Sequence, residues 1–355
     1  MITNYNEIIT KIDQVNPIKY ARDRNFTDGS VSNLSPYISR GVISTKFVYN
    51  FLLKKGYTLL KIQKFVQELV WREFWQIIWL NNNINKDFGF KQKNIKEKGL
   101  PKDIFLNNTK IKVIDQAIIN LYKKGYMHNH LRMYISSIIT NIGGYHWKIP
   151  AQWMYYHLLD ADWGSNALSW QWICGTFNNR KYYANQDNIN RFTKTNQKNT
   201  FLDVSYAKLE QLFYEDIFID KIKPVLDLIF QKSDEFKNMP EKPICIYNFY
   251  NLDVLWRREL DAHRILLIEP SIFKKYPISK KSMDFMIKLS KNIKNIKIIV
   301  CEFHELPIKN SQVYFKEHPL NHNYIGNKDE REWIYKPENK FTSFFKHWNE
   351  VLKFL

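Results

Sequence analysis

The sequence predicts a mainly α protein, with a helical domain over residues 1–200, a helical connection over 201–240 and a small α/β unit over 241–355. Two patterns predict it. Before residue 200, apolar side chains recur at helical spacing from Lys61 to Trp79 and from Val113 to Thr140. After residue 240 they gather into short runs, Ile244 to Phe249, Ile265 to Ile268, Ile296 to Val300 and Val313 to Phe315. A helix-like stretch, Ser282 to Ile293, lies between the second and third of these. Strands alternating with a helix imply a parallel sheet. A chain of 355 residues, 45% hydrophobic, buries a substantial core as one or two domains.

Taken in order, the first twenty residues read as a short amphipathic helix ending near Pro17. Residues 20–36 form a polar loop rich in hydroxyls, and Ser35-Pro36 opens the next helix in cap-then-proline order. Such a loop suits an anion and suits capping equally well. On the helix from Lys61 to Trp79, Glu68, Trp71, Arg72 and Trp75 share one face, either a surface salt bridge with aromatic packing or a wall that stacks flat rings. Residues 84–112 carry eight Lys against three acids and read as a solvated basic connection, a candidate phosphate contact. In the stretch 125–133, His128, Asn129 and Arg132 invite chemistry, although a lone His in such a run is more often a hydrogen-bonded core residue. Residues 175–191 are Asn-rich and irregular, and 201–238 look helical. No Gly-rich dinucleotide fingerprint follows any strand, and no P-loop occurs.

Lys and Arg number 53 against 35 Asp and Glu, a net charge of +18. That excess points to a polyanion, nucleic acid before membrane. Its bland alternative is a proteome rich in Lys, Ile and Asn. Cys174, Cys245 and Cys301 have no Cys-x-x-Cys spacing, which argues against a four-cysteine metal site and for a reducing compartment. Neither a secretory signal nor a long uncharged apolar run is visible. A cytoplasmic, metal-free protein without a membrane partner is expected, and a monomer.

The most informative stretch is 157–172, where Asp160 and Asp162 precede Gly164-Ser-Asn166 and then Trp170-Gln-Trp172. Buried acids are costly unless paired. Acids inside a Trp-rich run therefore suggest a polar ligand in an apolar pocket, or, more blandly, acids capping a helix.

Four blocks in order resemble the flavin-binding helical domain of the photolyase/cryptochrome family. They are Leu34-Ser-Pro-Tyr37 with Gly41 and Ser44, Glu68-Leu-Val-Trp-Arg-Glu-Phe74, Met127-His-Asn-His-Leu-Arg-Met133, and Asp160-Ala-Asp-Trp-Gly-Ser-Asn166 with Trp170-Gln-Trp172. The resemblance spans about half the chain and implies FAD as cofactor. It implies that Tyr20, Ser32, Leu34 and Ser35 hold the diphosphate and ribityl region. Arg72, Asn129, Arg132, Asp160, Asp162 and Asn166 would surround the flavin, with Arg132 and Asp160 ion-paired and Asn166 facing its N5. The activity implied is that of a deoxyribodipyrimidine photo-lyase, light-driven splitting of cyclobutane pyrimidine dimers in DNA. The flipped lesion would meet Glu68, Trp71, Asn129, Met133 and Trp172, and Trp170 and Trp147 would carry electrons to the flavin. A cryptochrome-like blue-light sensor is the alternative.

The chain also departs from the family. Only some twenty residues precede the flavin loop, where an α/β antenna domain is usual, and the unit at 241–355 could be its displaced counterpart. The outer member of the Trp chain falls near Asn94. Val31 and Asn33 replace a common Thr and Arg, and Tyr126 replaces an indole.

Overall fold

The computed structural model describes residues 1–211, 217–235, 241–308, 312–338 and 341–355. The chain divides into two compact units, each discontinuous in sequence: residues 1–18, 32–80 and 227–355 form one, and 19–31 with 81–226 form the other.

In the first unit the four expected strands, with Asn327–Asp329 as an unexpected fifth, pair into a parallel sheet. Its spatial order is Ile296–Val300, His263–Ile268, Ile244–Tyr247, Val313–Lys316, Asn327–Asp329. Ile244, Ile246, Ile265, Leu267, Val313 and Phe315 fill its core. The expected helix is Lys280–Ser290, capped by Ser279, which accepts the Ser282 amide. Strand order reverses between Ile244–Tyr247 and Val313–Lys316, the place where open parallel sheets ordinarily take a ligand. Here the residues that follow those strand ends pack on one another: Tyr250 stacks on His318 at 4.0 Å, and Trp79 meets both rings edge-on. Burial pushes the His318 imidazole pKa well below its usual value.

Trp79 belongs to the long helix Leu59–Asn81, so the α/β region does not stand alone as the division at 240 suggested. Two segments of this unit approach closely at Gly41, which has a φ of +61° and lies against the Tyr250 carbonyl. Next to it Arg40 is fully buried, its guanidinium 3.2 Å from the Phe249 ring centroid, and its carbonyl accepts the Leu252 amide.

Glu73 ties the same helix to two further segments. Thr45 donates its hydroxyl to Oε1, and the Ile334 amide donates to the same oxygen at 2.7 Å. Burial outweighs these bonds and raises the carboxyl pKa from 4.5 to about 7. A raised pKa means the folded state holds the proton more tightly. This contribution to stability is fully present below about 4.5 and lost as pH rises through about 7. Glu73→Gln keeps the acceptor oxygen without the charge. In urea titrations we expect the variant to match the parent in acid and to become the more stable of the two in alkali.

The expected helical connection requires correction. Only Tyr206–Gln211 is helical among the described residues of 201–240, and residues 212–216 and 236–240 lie outside them. From 223 to 235 the backbone has no helix, and inward and outward positions alternate from Lys221 to Phe230. Pro224 cannot donate an amide and disfavours helix at the residue before it. The segment ends along the Ile296–Val300 strand: Asp234 N donates to the Ile298 carbonyl at 2.7 Å, and Ser233 Oγ accepts the Val300 amide. It thereby covers an edge that would otherwise expose unpaired backbone groups.

Helices dominate the second unit, principally Lys112–Lys124, Asn129–Ser137, Lys148–His157, Trp163–Ile173 and Gln186–Thr193. A π-helical turn, Ile138–Ile142, continues Asn129–Ser137. The expected periodicity from Val113 to Thr140 is thus broken once, at Gly125.

Candidate functional site

Gly125 ends its helix at a φ of 65°, a left-handed conformation that glycine adopts without strain. Space demands glycine as well, because a Cβ would lie 2.7 Å from Leu159 Cγ. The Gly125 carbonyl accepts the Leu159 amide at 2.9 Å, which sets the 157–162 loop beside the start of Asn129–Ser137. Arg132 meets Asp160 there. Its Nη2 donates to Oδ1 at 3.0 Å, and its Nε donates to the Met127 carbonyl at 2.9 Å. The Asp160 side chain is only 6% exposed, so the pair meets the requirement that a buried acid be matched. His128 is a buried helix cap whose Nδ1 accepts the His130 amide, the bland reading of that residue.

Asp162 proves to be the other kind of acid. It caps Trp163–Ile173, Oδ1 accepting the Ser165 amide at 2.7 Å. One turn on, Asn166 donates Nδ2 to the Ala151 carbonyl at 2.8 Å, which fixes the amide and leaves Oδ1 to accept. Ser165 Oγ and Trp170 Nε1 are buried without a hydrogen-bond partner among the described residues. Such groups are costly unless something satisfies them.

Between the two indoles of Trp170-Gln-Trp172, Gln171 is a structural tie that sequence reasoning missed. Its Nε2 donates to the Ile84 carbonyl, and its Oε1 accepts the Phe88 amide at 2.7 Å. The 84–92 segment is therefore pinned rather than solvated throughout. Asp87 also works inward, accepting the indole N–H of Trp147 at 2.8 Å. Trp147 is fully buried, with Trp163 at 6.4 Å between ring centroids. Trp172 is half-buried against Tyr182, Met133 is half-buried, and Asn129 is exposed. Tyr20 lies under the Arg24 guanidinium.

The remaining expected residues belong to the first unit. Arg72 donates to Ser39 Oγ at 2.9 Å. Leu34 is buried, its amide bonded to Ser32 Oγ. Ser35 is the first helical residue of Ser35–Ser39 rather than its cap; that place falls to Leu34, which offers no capping side chain. Glu68 is paired with Lys64 at 2.9 Å. Trp71 and Trp75 touch at 5.0 Å, confirming a shared face. The Trp71 ring also lies flat on Phe344, 3.5 Å between centroids and 8° between planes. Phe344 opens the helix Phe344–Phe354, which the sequence did not suggest.

Residues 65–219 match the family described as the FAD binding domain of DNA photolyase. That segment of the chain is similar to the FAD-binding domain of DNA photolyase. Among similar curated proteins, the deoxyribodipyrimidine photo-lyase of Vibrio cholerae is 29% identical over 178 residues, 46% of this chain and 37% of that one. The Agrobacterium fabrum protein of the same name is 30% identical over 166 residues, 44% of this chain and 34% of that one. The chain spans about a third of the length of these relatives. A solved class III photolyase from Agrobacterium tumefaciens aligns at 21% identity and a TM-score of 0.44, over 59% of this chain and 54% of that one. Three of the four blocks, those beginning at Glu68, Met127 and Asp160, lie inside the matched FAD-binding segment, and the block beginning at Leu34 precedes it.

Proposed function

We propose that this protein is a member of the photolyase/cryptochrome family and a light-driven DNA-repair lyase that uses FAD to split cyclobutane pyrimidine dimers. The observation that carries the reading is the buried Arg132–Asp160 pair, set within a segment similar to the FAD-binding domain of DNA photolyase. When bound in reduced form, FAD supplies on illumination the electron that opens the cyclobutane ring and takes it back afterwards.

The protein's part is to bind and orient. Arg132 and Asp160 flank the flavin as a matched pair, so neither charge is buried alone. Asn166, its amide fixed by the Ala151 carbonyl, would face the flavin N5 with Oδ1. Asp162 holds the helix that carries Asn166. Tyr20, Ser32, Leu34, Ser35, Arg72 and Asn129 are the further FAD contacts we propose. Glu68 hydrogen-bonds the flipped bases, Trp71 and Trp172 stack on them, and Asn129 and Met133 complete the contact. The excess of 53 basic over 35 acidic residues favours the phosphate backbone.

The test is blue-light repair of an oligonucleotide carrying a single dimer, with Trp71→Ala beside the parent. Loss of one stacking wall should weaken binding to dimer DNA by about 1–3 kcal/mol and leave undamaged DNA nearly unchanged.

One observation favours a second reading, a blue-light sensor. Trp71 is already stacked on Phe344, so the wall meant for a lesion has a partner from the chain itself. A protein that binds FAD yet neither prefers nor repairs dimer DNA would decide for sensing.

A further inference from the structure

Trp147 is fully buried, and its indole N–H donates to Asp87 Oδ1 at 2.8 Å. Gln92 and His146 hold this carboxylate–indole pair in place. The Gln92 amide donates to Asp87 Oδ2 at 2.9 Å, while Gln92 Oε1 accepts the Trp147 amide. His146 lies nearly parallel to the Trp147 ring, 27° between planes. Its Nε2 is 3.7 Å from the same Oδ1, with its Nδ1 accepting the Lys148 amide. An Nδ1 that accepts leaves the neutral ring its proton on Nε2, facing the carboxylate. The Asp87 side chain is 22% exposed, so solvent reaches the acid while the indole stays dry.

We propose that Asp87 is the proton acceptor for Trp147 when this indole is oxidised, which makes Trp147 an end point of the electron relay. The proposal rests on the flavin reading above. Photoexcited oxidised flavin is the oxidant, and one electron leaves Trp147 by way of Trp170. An indole that has lost an electron is far more acidic at its N–H than the neutral ring, acidic enough to share that proton with a carboxylate. Its Nε1 proton crosses the 2.8 Å hydrogen bond to Oδ1, leaving a neutral indolyl radical and a protonated Asp87. The Asp87 carboxyl releases that proton to solvent. An external thiol later returns one electron and one proton to the indole, so charge and atoms balance. Without the proton, the electron has little reason to return from the flavin, so deprotonation holds the charge separation open. The relay can then end at Trp147 although the outer family position falls near Asn94, a residue that cannot carry the charge.

Asp87→Asn tests this, because the amide oxygen can still accept the indole N–H but cannot take its proton. Transient absorption of FAD-loaded protein after a blue flash distinguishes the protonated from the neutral indolyl radical. In the parent the neutral radical should appear, more slowly in heavy water than in light water. In Asp87→Asn the protonated radical should live about a hundredfold longer before losing its proton or recombining. Trp147→Phe should abolish the neutral radical and leave only a short-lived protonated radical on Trp170, whose Nε1 has no hydrogen-bond partner among the described residues. The heavy-water comparison needs no variant, so it stands even if Asp87→Asn folds poorly. A neutral radical that forms equally fast in Asp87→Asn and shows no isotope effect overturns the role of Asp87 alone. A parent that binds FAD but forms no tryptophan radical overturns the relay reading with it.

Discussion

Asp160→Ala should be purified pale or colourless. The substitution leaves Arg132, whose side chain is 21% exposed, facing the vacated space with only the Met127 carbonyl at its Nε. Breaking a buried pair by removing one partner costs roughly 3–5 kcal/mol, because the surviving charge is uncompensated. That is a large share of the stability of an ordinary domain. The ratio of flavin to protein absorbance reads the cofactor, and urea unfolding reads the fold. Retention of full FAD at parental stability would refute the assignment. Arg132→Ala should fail in the same way, and the double variant should be less impaired than the two single losses added together, since no charge is then left alone.

The second large effect is expected at Gly41. An alanine Cβ would lie 2.4 Å from the Tyr250 carbonyl oxygen and 3.0 Å from Asn251 Cα, both backbone atoms that have little room to move. The φ of +61° adds its own penalty for any residue with a side chain. Together the strain and the overpacking should cost roughly 2–4 kcal/mol. Thermal unfolding of Gly41→Ala checks the figure. Gly56 serves as the control: it also has a positive φ, 90°, but nothing lies within 4 Å of its added Cβ. Gly56→Ala should therefore show the conformational penalty without the clash.

The parts of this molecule that were legible in the sequence are those set by local pattern. The helix Leu59–Asn81 follows from its apolar spacing, and the strand Ile296–Val300 from a run of β-branched residues. The Arg132–Asp160 pair followed from the need to match a buried acid together with a family resemblance. What could not be read depends on residues far apart in the chain. Gln171 stood between two conspicuous indoles, and nothing local says that its amide ties down residue 84. Asp87 sat among lysines and looked solvated, yet its partner is sixty residues away. Phe344 on Trp71 joins positions separated by most of the chain. The segment after Lys223 was misread for a different reason. Leu226, Leu228 and Phe230 form a period-two stripe that resembles half a helix, and the one available warning was Pro224.

The order in which the pieces of each unit leave the ribosome follows from their interleaving. The second unit has all its sequence once residue 226 has emerged, whereas the first must wait for residues 227–355. At about 5–20 residues per second, that delay is on the order of ten seconds. At its start, residues 32–80 have been made but lack their mates: Arg40 has no Phe249 beneath it, Glu73 no Ile334 amide, and Trp71 no Phe344. A nascent chain paused in this interval presents an aromatic helix without its Ile334 and Phe344 contacts. Holdase chaperones should capture it there, and slowing translation across residues 227–344 should cost yield while slowing it before residue 32 should not.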